Sequence, residues 1–178
     1  MKITETNLEG VLLIEPKTFV DERGFFLESY NENIFKSLGI KYNFVQDNHS
    51  RSSRNVLRGL HFQAKNPQGK LVRCSRGSVY DVAVDIDPNS KTFGQHYGAI
   101  LDDVNNNFLF IPPGYAHGFC VMSDVADFQY KCTNFYDPSD QEGIAWNDKF
   151  IGINWPTKNP ILSKKDLDNP SLEMFSEI

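Results

Sequence analysis

Asp81-Val82-Ala83-Val84-Asp85-Ile86-Asp87-Pro88-Asn89-Ser90 is the stretch on which the fold class turns. Val82, Val84 and Ile86 alternate with Asp81, Ala83, Asp85 and Asp87, the period of two that belongs to a half-buried strand. The run stops at a turn signal, Asp87-Pro88-Asn89-Ser90. Further along, Phe128, Tyr130 and Cys132 alternate in the same way with Gln129, Lys131 and Thr133. Similar spacing predicts strands over residues 11–14, 25–30, 44–48, 56–63, 70–75, 95–101, 108–111 and 117–122. Turn signals separate them at Asp21-Glu22-Arg23-Gly24, Asn66-Pro67-Gln68-Gly69 and Pro112-Pro113-Gly114. One short helix fits residues 32–38, with Asn31 as its cap and Gly39 just past its end. Many short strands at near-regular spacing predict an all-β sandwich or barrel, not βαβ units.

The chain has 178 residues, with 18 Lys and Arg against 23 Asp and Glu, for a net charge of −5. That length predicts one domain over residues 1–178, with a loop-rich C-terminal segment from about 155 that ends in a weak helix. Cys74, Cys120 and Cys132 lack zinc-site spacing and read as reduced buried thiols. Residues 1–10 have no apolar centre like that of a signal peptide, and no run approaches the roughly 18 apolar residues of a membrane span. The expectation is a cytoplasmic protein with no membrane association.

Against the acidic whole stands a basic window. Between residues 48 and 80 there is no acid, yet Arg51, Arg54, Arg58, Lys65, Lys70, Arg73 and Arg76 all fall there. Local positive potential suits an anionic ligand. Nucleic acid is disfavoured, because net charge is negative and turns split the basic residues. Within the window, Arg58-Gly59-Leu60-His61-Phe62-Gln63 sets an imidazole beside the cations, and histidine exchanges protons near neutral pH. Taken singly, His61 reads as a hydrogen-bonded core histidine, Tyr130 as inward packing and Lys70 as a solvated edge lysine. The acid-free surroundings and the adjacent glycine shift His61 toward chemistry. Strict alternation puts His61 and Arg58 on opposite faces, so a shared ligand requires a bulge, which Gly59 makes cheapest. No metal site is expected. Cupin metal sites pair two histidines one residue apart, and the second position here is Gln63.

Several motifs in order carry a resemblance over about residues 2 to 170. They are Arg58-Gly59-Leu60-His61-Phe62-Gln63; Gly69-Lys70-Leu71-Val72-Arg73; the segment 77–87; Ile111-Pro112-Pro113-Gly114-Tyr115-Ala116-His117-Gly118-Phe119; Tyr130-Lys131-Cys132-Thr133; Gly143-Ile144-Ala145-Trp146-Asn147-Asp148; and Leu162-Ser163-Lys164-Lys165-Asp166. The chain resembles the dTDP-4-dehydrorhamnose 3,5-epimerases, which are metal-free cupins. The resemblance implies a cupin-type jelly roll with a few short helices and no cofactor. The implied activity is an isomerase acting at C3 and C5 of dTDP-4-dehydro-6-deoxy-D-glucose, on the way to dTDP-L-rhamnose and cell-surface polysaccharide. It implies His61 as general base, Asp166 as the carboxylate that touches His61 and favours its charged form, Tyr130 as acid from the opposite face, and Lys70 at the C4 oxygen. Sugar-nucleotide contacts are implied for Arg23, Phe26, Glu28, Gln46, Asn48, Arg58, His117, Tyr136, Glu142 and Lys165. A homodimer with an exchanged N-terminal strand is implied as well.

Two positions depart from the family pattern. Phe135-Tyr136 stands where two tyrosines are frequent, and an acid expected near Gln141 falls instead at Glu142. Close relatives share the proton-transfer residues. Inversion at C3 or C5 alone, or another nucleotide-linked 4-keto-6-deoxy sugar, is therefore the alternative. A non-catalytic sugar-binding cupin would be expected to lose His61, Tyr130 or Asp166, and all three are present. A metal-dependent cupin oxygenase is disfavoured by Gln63.

Overall fold

A computed structural model describes residues 1–175. Its strands are β1 (Lys2–Glu5), β2 (Leu12–Glu15), β3 (Thr18–Asp21), β4 (Gly24–Leu27), β5 (Gln46–Ser53), β6 (Leu57–Gln63), β7 (Lys70–Arg76), β8 (Ser78–Asp85), β9 (His96–Asp102), β10 (Phe108–Ile111), β11 (Tyr115–Val121), β12 (Val125–Cys132) and β13 (Gln141–Gly143). Two short helices, α1 (Glu32–Ser37) and α2 (Lys164–Leu167), and a 3-10 turn at Leu172–Phe175 complete the set. The strands form a six-stranded sheet, β1-β2-β10-β7-β12-β5, a five-stranded sheet, β13-β6-β11-β8-β9, and the separate hairpin β3-β4. This is a cupin-type jelly roll, all-β with a few short helices. No helix among the described residues is long and apolar enough to cross a membrane.

The core follows from alternation on each strand. Val72 and Cys74 of β7, Val79 and Ala83 of β8, Phe119 and Val121 of β11, and Ala126 and Phe128 of β12 meet between the sheets. The Phe119 and Phe128 rings stack there with centroids 4.1 Å apart, a favourable aromatic spacing. The outer faces are covered too. Ile144, Ile151 and Leu172 pack over Leu60, Val82, Val84 and Ala116. Phe35 and Ile40 pack over Ile14, Leu71, Phe108 and Phe110. Helix α1 begins where expected, with the Asn31 side chain accepting from the Asn33 and Ile34 amides.

Four differences separate the structure from the sequence reading. Strand β8 is buried on both faces: the C-terminal segment packs over Val82 and Val84, and the other face, with Val79 and Ala83, meets the opposite sheet. Asp81 and Asp85 alternate onto that inner face, 0% and 2% exposed, and each must be satisfied by a partner. Asp85 accepts from Ser90, Thr92 and the Asp87 amide. Strand β4 ends at Leu27, which leaves Glu28 beyond it. Strands β1, β3 and β13 and helix α2 are too short to show a period. The weak helix expected at the C-terminus appears as the 3-10 turn, as far as residue 175.

Candidate active site

The basic window does not act as one patch. On β5, Arg51 pairs with Asp127 of β12 at 2.6 Å, and Arg54 pairs with Asp124 at 3.0 Å. Arg73 lies over the Phe108 ring on an outer face. The counter-charges missing from the sequence window arrive from a strand seventy residues on. Arg58 and Lys70 are the window's two cations that line a cavity of about 450 Å³, together with His61, His117, Tyr130 and Asp166.

The expected bulge is present. His61 faces His117 and Arg58 faces Phe119, so β6 spends one residue more than β11 over that interval. Gly59 sits there with φ +119, and a Cβ on it would lie 2.6 Å from the Gly118 Cα. Only glycine fits such a position without displacement. The bulge turns Arg58 and His61 toward one cavity. The Gly59 backbone also acts on the Asp166 carboxyl, favouring its charged form.

His61 Nε2 lies 2.6 Å from Asp166 Oδ1. Asp166 is 3% exposed. It rides on α2, whose cap Ser163 accepts from the Asp166 amide. Burial pushes the Asp166 carboxyl up, but hydrogen bonds from His61, Ser163 and Gly59 outweigh it and the net direction is down. The carboxylate thus stays ionised and fixes His61 through Nε2, leaving Nδ1 for a reacting group. A second pair stands beside it. His117 Nε2 lies 2.9 Å from Asp81 Oδ2, and burial pushes His117 down, toward the neutral form. Burial also lowers Lys70 and raises Tyr130, so Tyr130 holds its proton firmly. Tyr130 and Lys70 belong to the six-stranded sheet and His61 to the five-stranded one. The base and acid candidates therefore occupy opposite walls.

A family model described as dTDP-4-dehydrorhamnose 3,5-epimerase matches residues 5–174. The chain belongs to this family. It is an isomerase, an epimerase acting at C3 and C5 of a dTDP-linked 4-dehydro sugar. It is similar to the dTDP-4-dehydrorhamnose 3,5-epimerase of Escherichia coli K12, 56% identical over 169 residues covering 93% of this chain and 91% of that one. It is similar to the same enzyme of Salmonella typhimurium LT2, 55% identical with 97% and 96% covered. The crystal structure of the dTDP-6-deoxy-D-glucose-3,5-epimerase of Legionella pneumophila Philadelphia 1, in complex with dTDP-4-keto-L-rhamnose, superposes with a TM-score of 0.95 at 47% identity, covering 97% of this chain and 93% of that one.

The other residues marked from the sequence fall into three places in this epimerase. Lys165 lines the main cavity. Gln46, Asn48 and Tyr136 line an adjoining cavity of about 260 Å³, which shares His61, Lys70, Tyr130 and Gln141 with the site. There Gln46 bonds Asn48 and the Tyr136 amide, and the Tyr136 hydroxyl donates to Gln141 at 2.5 Å. Glu142 does not line either cavity. It pairs with Phe62 on β6 and is exposed, whereas Gln141 one position earlier faces in. Arg23, Phe26 and Glu28 are exposed on or beside the β3-β4 hairpin and line neither cavity, and Arg23 pairs with Asp21. Gln63 has a structural role, accepting from the Asp137 amide and donating to the Asn66 carbonyl. Asp81 went unmarked in the sequence. Its signal was an acid on the same face of β8 as Val79 and Ala83.

Proposed function

We propose that His61 removes the proton at C3 and at C5 of dTDP-4-dehydro-6-deoxy-D-glucose and that Tyr130 returns one from the other side of the ring. Each C–H bond flanks the C4 ketone, so its electron pair moves into an enolate whose charge sits on the C4 oxygen. His61 Nδ1 takes the proton while Asp166 holds Nε2 and balances the imidazolium. Lys70 faces the C4 oxygen as an ammonium and stabilises the oxyanion, a contribution of roughly 10²–10³ in rate where one such donor is removed. Tyr130 then protonates carbon from the opposite face, and inversion follows because base and acid sit on different walls. What supports this reading above all is that His61 and Tyr130 come from opposing sheets across one cavity that also holds Lys70.

Arg58 suits the pyrophosphate by charge and fork geometry. Gln46, Asn48, Tyr136, His117 and Lys165 would contact the sugar nucleotide. Gln141, not Glu142, is the better placed of that pair. Arg23, Phe26 and Glu28 would reach a site only in a neighbouring subunit. The hairpin leaves Phe19, Val20, Phe25 and Phe26 between 53% and 77% exposed, and β5 ends the six-stranded sheet as an open edge. Exposed apolar hairpins and open edges are features that association covers. The functional unit is therefore a homodimer with exchanged N-terminal strands, each chain one cupin domain with a loop-rich segment from about 155. The three buried free thiols, Cys74, Cys120 and Cys132, fit a reducing cytoplasm.

Incubation with dTDP-4-dehydro-6-deoxy-D-glucose in deuterated water tests the chemistry. Deuterium at both C3 and C5 is expected. Label at one carbon alone would reassign the chain to single-centre epimerisation, and label at neither would leave a sugar-binding cupin. Tyr130→Phe should keep exchange of substrate protons while epimerised product falls about 10²-fold or more. Normal product formation would move the acid role to another group, Tyr136 first. Sedimentation should give a dimer, and Phe25→Asp with Phe26→Asp should give an inactive monomer.

A further inference from the structure

We propose that Asp81 is a positioning residue of this epimerase, whose buried carboxylate, tethered to His117, supplies the counter-charge that holds Lys70 as an ammonium in the cavity. The inference rests on the reading of Lys70 given above. Asp81 Oδ2 accepts from His117 Nε2 at 2.9 Å, yet Oδ1 is buried with no hydrogen-bond partner among the described residues. A carboxylate that is 0% exposed with one oxygen unsatisfied is costly unless a positive charge stands near it. Lys70 is the buried cation available. It shares the inner face of β7 with Val72 and Cys74, and Asp81 shares the inner face of β8 with Val79 and Ala83, so both project between the sheets.

The groups around Lys70 leave Asp81 as the source of compensation. From β12 come Cys132 and Tyr130, from β11 His117, from β6 His61 and Arg58, and from α2 Asp166, which is engaged with His61. Burial pulls Lys70 toward the neutral amine, while Cys132 and Asp81 act the other way. Burial raises the Cys132 thiol, so at neutral pH it carries no charge. Burial likewise keeps His117 neutral, so His117 orients Asp81 without cancelling it. Among the groups named, Asp81 is the carboxylate left to hold the ammonium.

The test is Asp81→Asn in the full-length enzyme, with kcat followed against pH beside Lys70→Ala, Lys70→Arg and the double variant Asp81→Asn/Lys70→Arg. Asp81→Asn should lower kcat about 10–100-fold, by analogy with the loss of an outer partner behind a metal-ligating histidine. It should also move the alkaline limb to lower pH, because Lys70 then loses its proton earlier. A guanidinium does not titrate in this range. In the Lys70→Arg background the same substitution should therefore leave the limb in place. An equal displacement in both backgrounds, or a loss of kcat uniform across pH, overturns the role of Asp81. Unchanged turnover in Lys70→Ala overturns the reading of Lys70 instead. Should Asp81→Asn fail to fold, Asp81→Glu carries the test. It keeps the charge, so its limb must stay at the wild-type position, and a displaced limb overturns the proposal.

Discussion

The two histidine–aspartate pairs use the same side chains at nearly the same separation, 2.6 Å for His61–Asp166 and 2.9 Å for His117–Asp81. They sit opposite each other in one register of the β6–β11 ladder. What differs is where each carboxylate comes from and how wet each imidazole is. Asp81 belongs to β8, covered on both faces, and the His117 side chain is 7% exposed. Asp166 belongs to a four-residue helix that lines the cavity, and the His61 side chain is 28% exposed. A pair meant to exchange protons with a ligand needs solvent-side access and a base that can change charge. A pair sealed in a core is held in one state by the desolvation of the other. The same chemistry is thus divided into a working pair and a supporting one by packing alone.

Substituting the histidines one at a time puts the largest strain on that contrast. His61→Asn should lower turnover at least about 10²–10⁴-fold and remove deuterium uptake from solvent at both carbons. His117→Asn should bind substrate less well yet still exchange. If the two variants lose exchange equally, the division of roles is wrong. Asp166→Asn comes next, with a loss of about 10–100-fold by analogy with other outer partners of functional histidines. It also has a signature in stability. The Asp166 carboxyl is held below its ordinary value of 3.8. Its contribution is therefore present above that value and lost as pH falls through the depressed one. Wild-type urea midpoints should drop more steeply on acidification below about pH 4 than those of Asp166→Asn; parallel curves would show that the pair adds nothing to folding. The smallest expected loss in turnover is at Gly59→Ala. A left-handed non-glycine residue costs about 1–3 kcal/mol before any clash, and the bulge that turns Arg58 and His61 toward one cavity would shift. Thermal melting and kcat should fall together, and a stable, fully active variant would show that the bulge is dispensable.

Much of this was legible in the chain. The alternation along β8 and β12, the Asn31 cap and the need for a bulge at Gly59 are local properties, and local properties are written in sequence. His61, Lys70, Tyr130 and Asp166 could be gathered only through motif resemblance, since nothing in spacing brings residue 166 to residue 61. The basic window misled for the same reason. Its acids, Asp124 and Asp127, are remote in the chain and adjacent in space. Glu142 against Gln141 was undecidable until β13 had a register on β6, because a slip of one residue exchanges the two faces of a strand. Asp81 stayed hidden because alternation separates the two faces of a strand without saying which of them meets the opposite sheet.

The His61–Asp166 contact closes across 105 residues. The thirteen strands among the described residues are complete by Gly143, well before Ser163 and the helix it caps. A chain cut within that interval keeps the segments that form both sheets and lacks the carboxylate that clamps His61. The clamp on His61 is therefore supplied from outside both sheets, so turnover reports on the α2 segment as well as on the strands. Proteolytic removal of residues 163 onward should lower turnover at least as far as Asp166→Asn does, while every described strand remains in the chain.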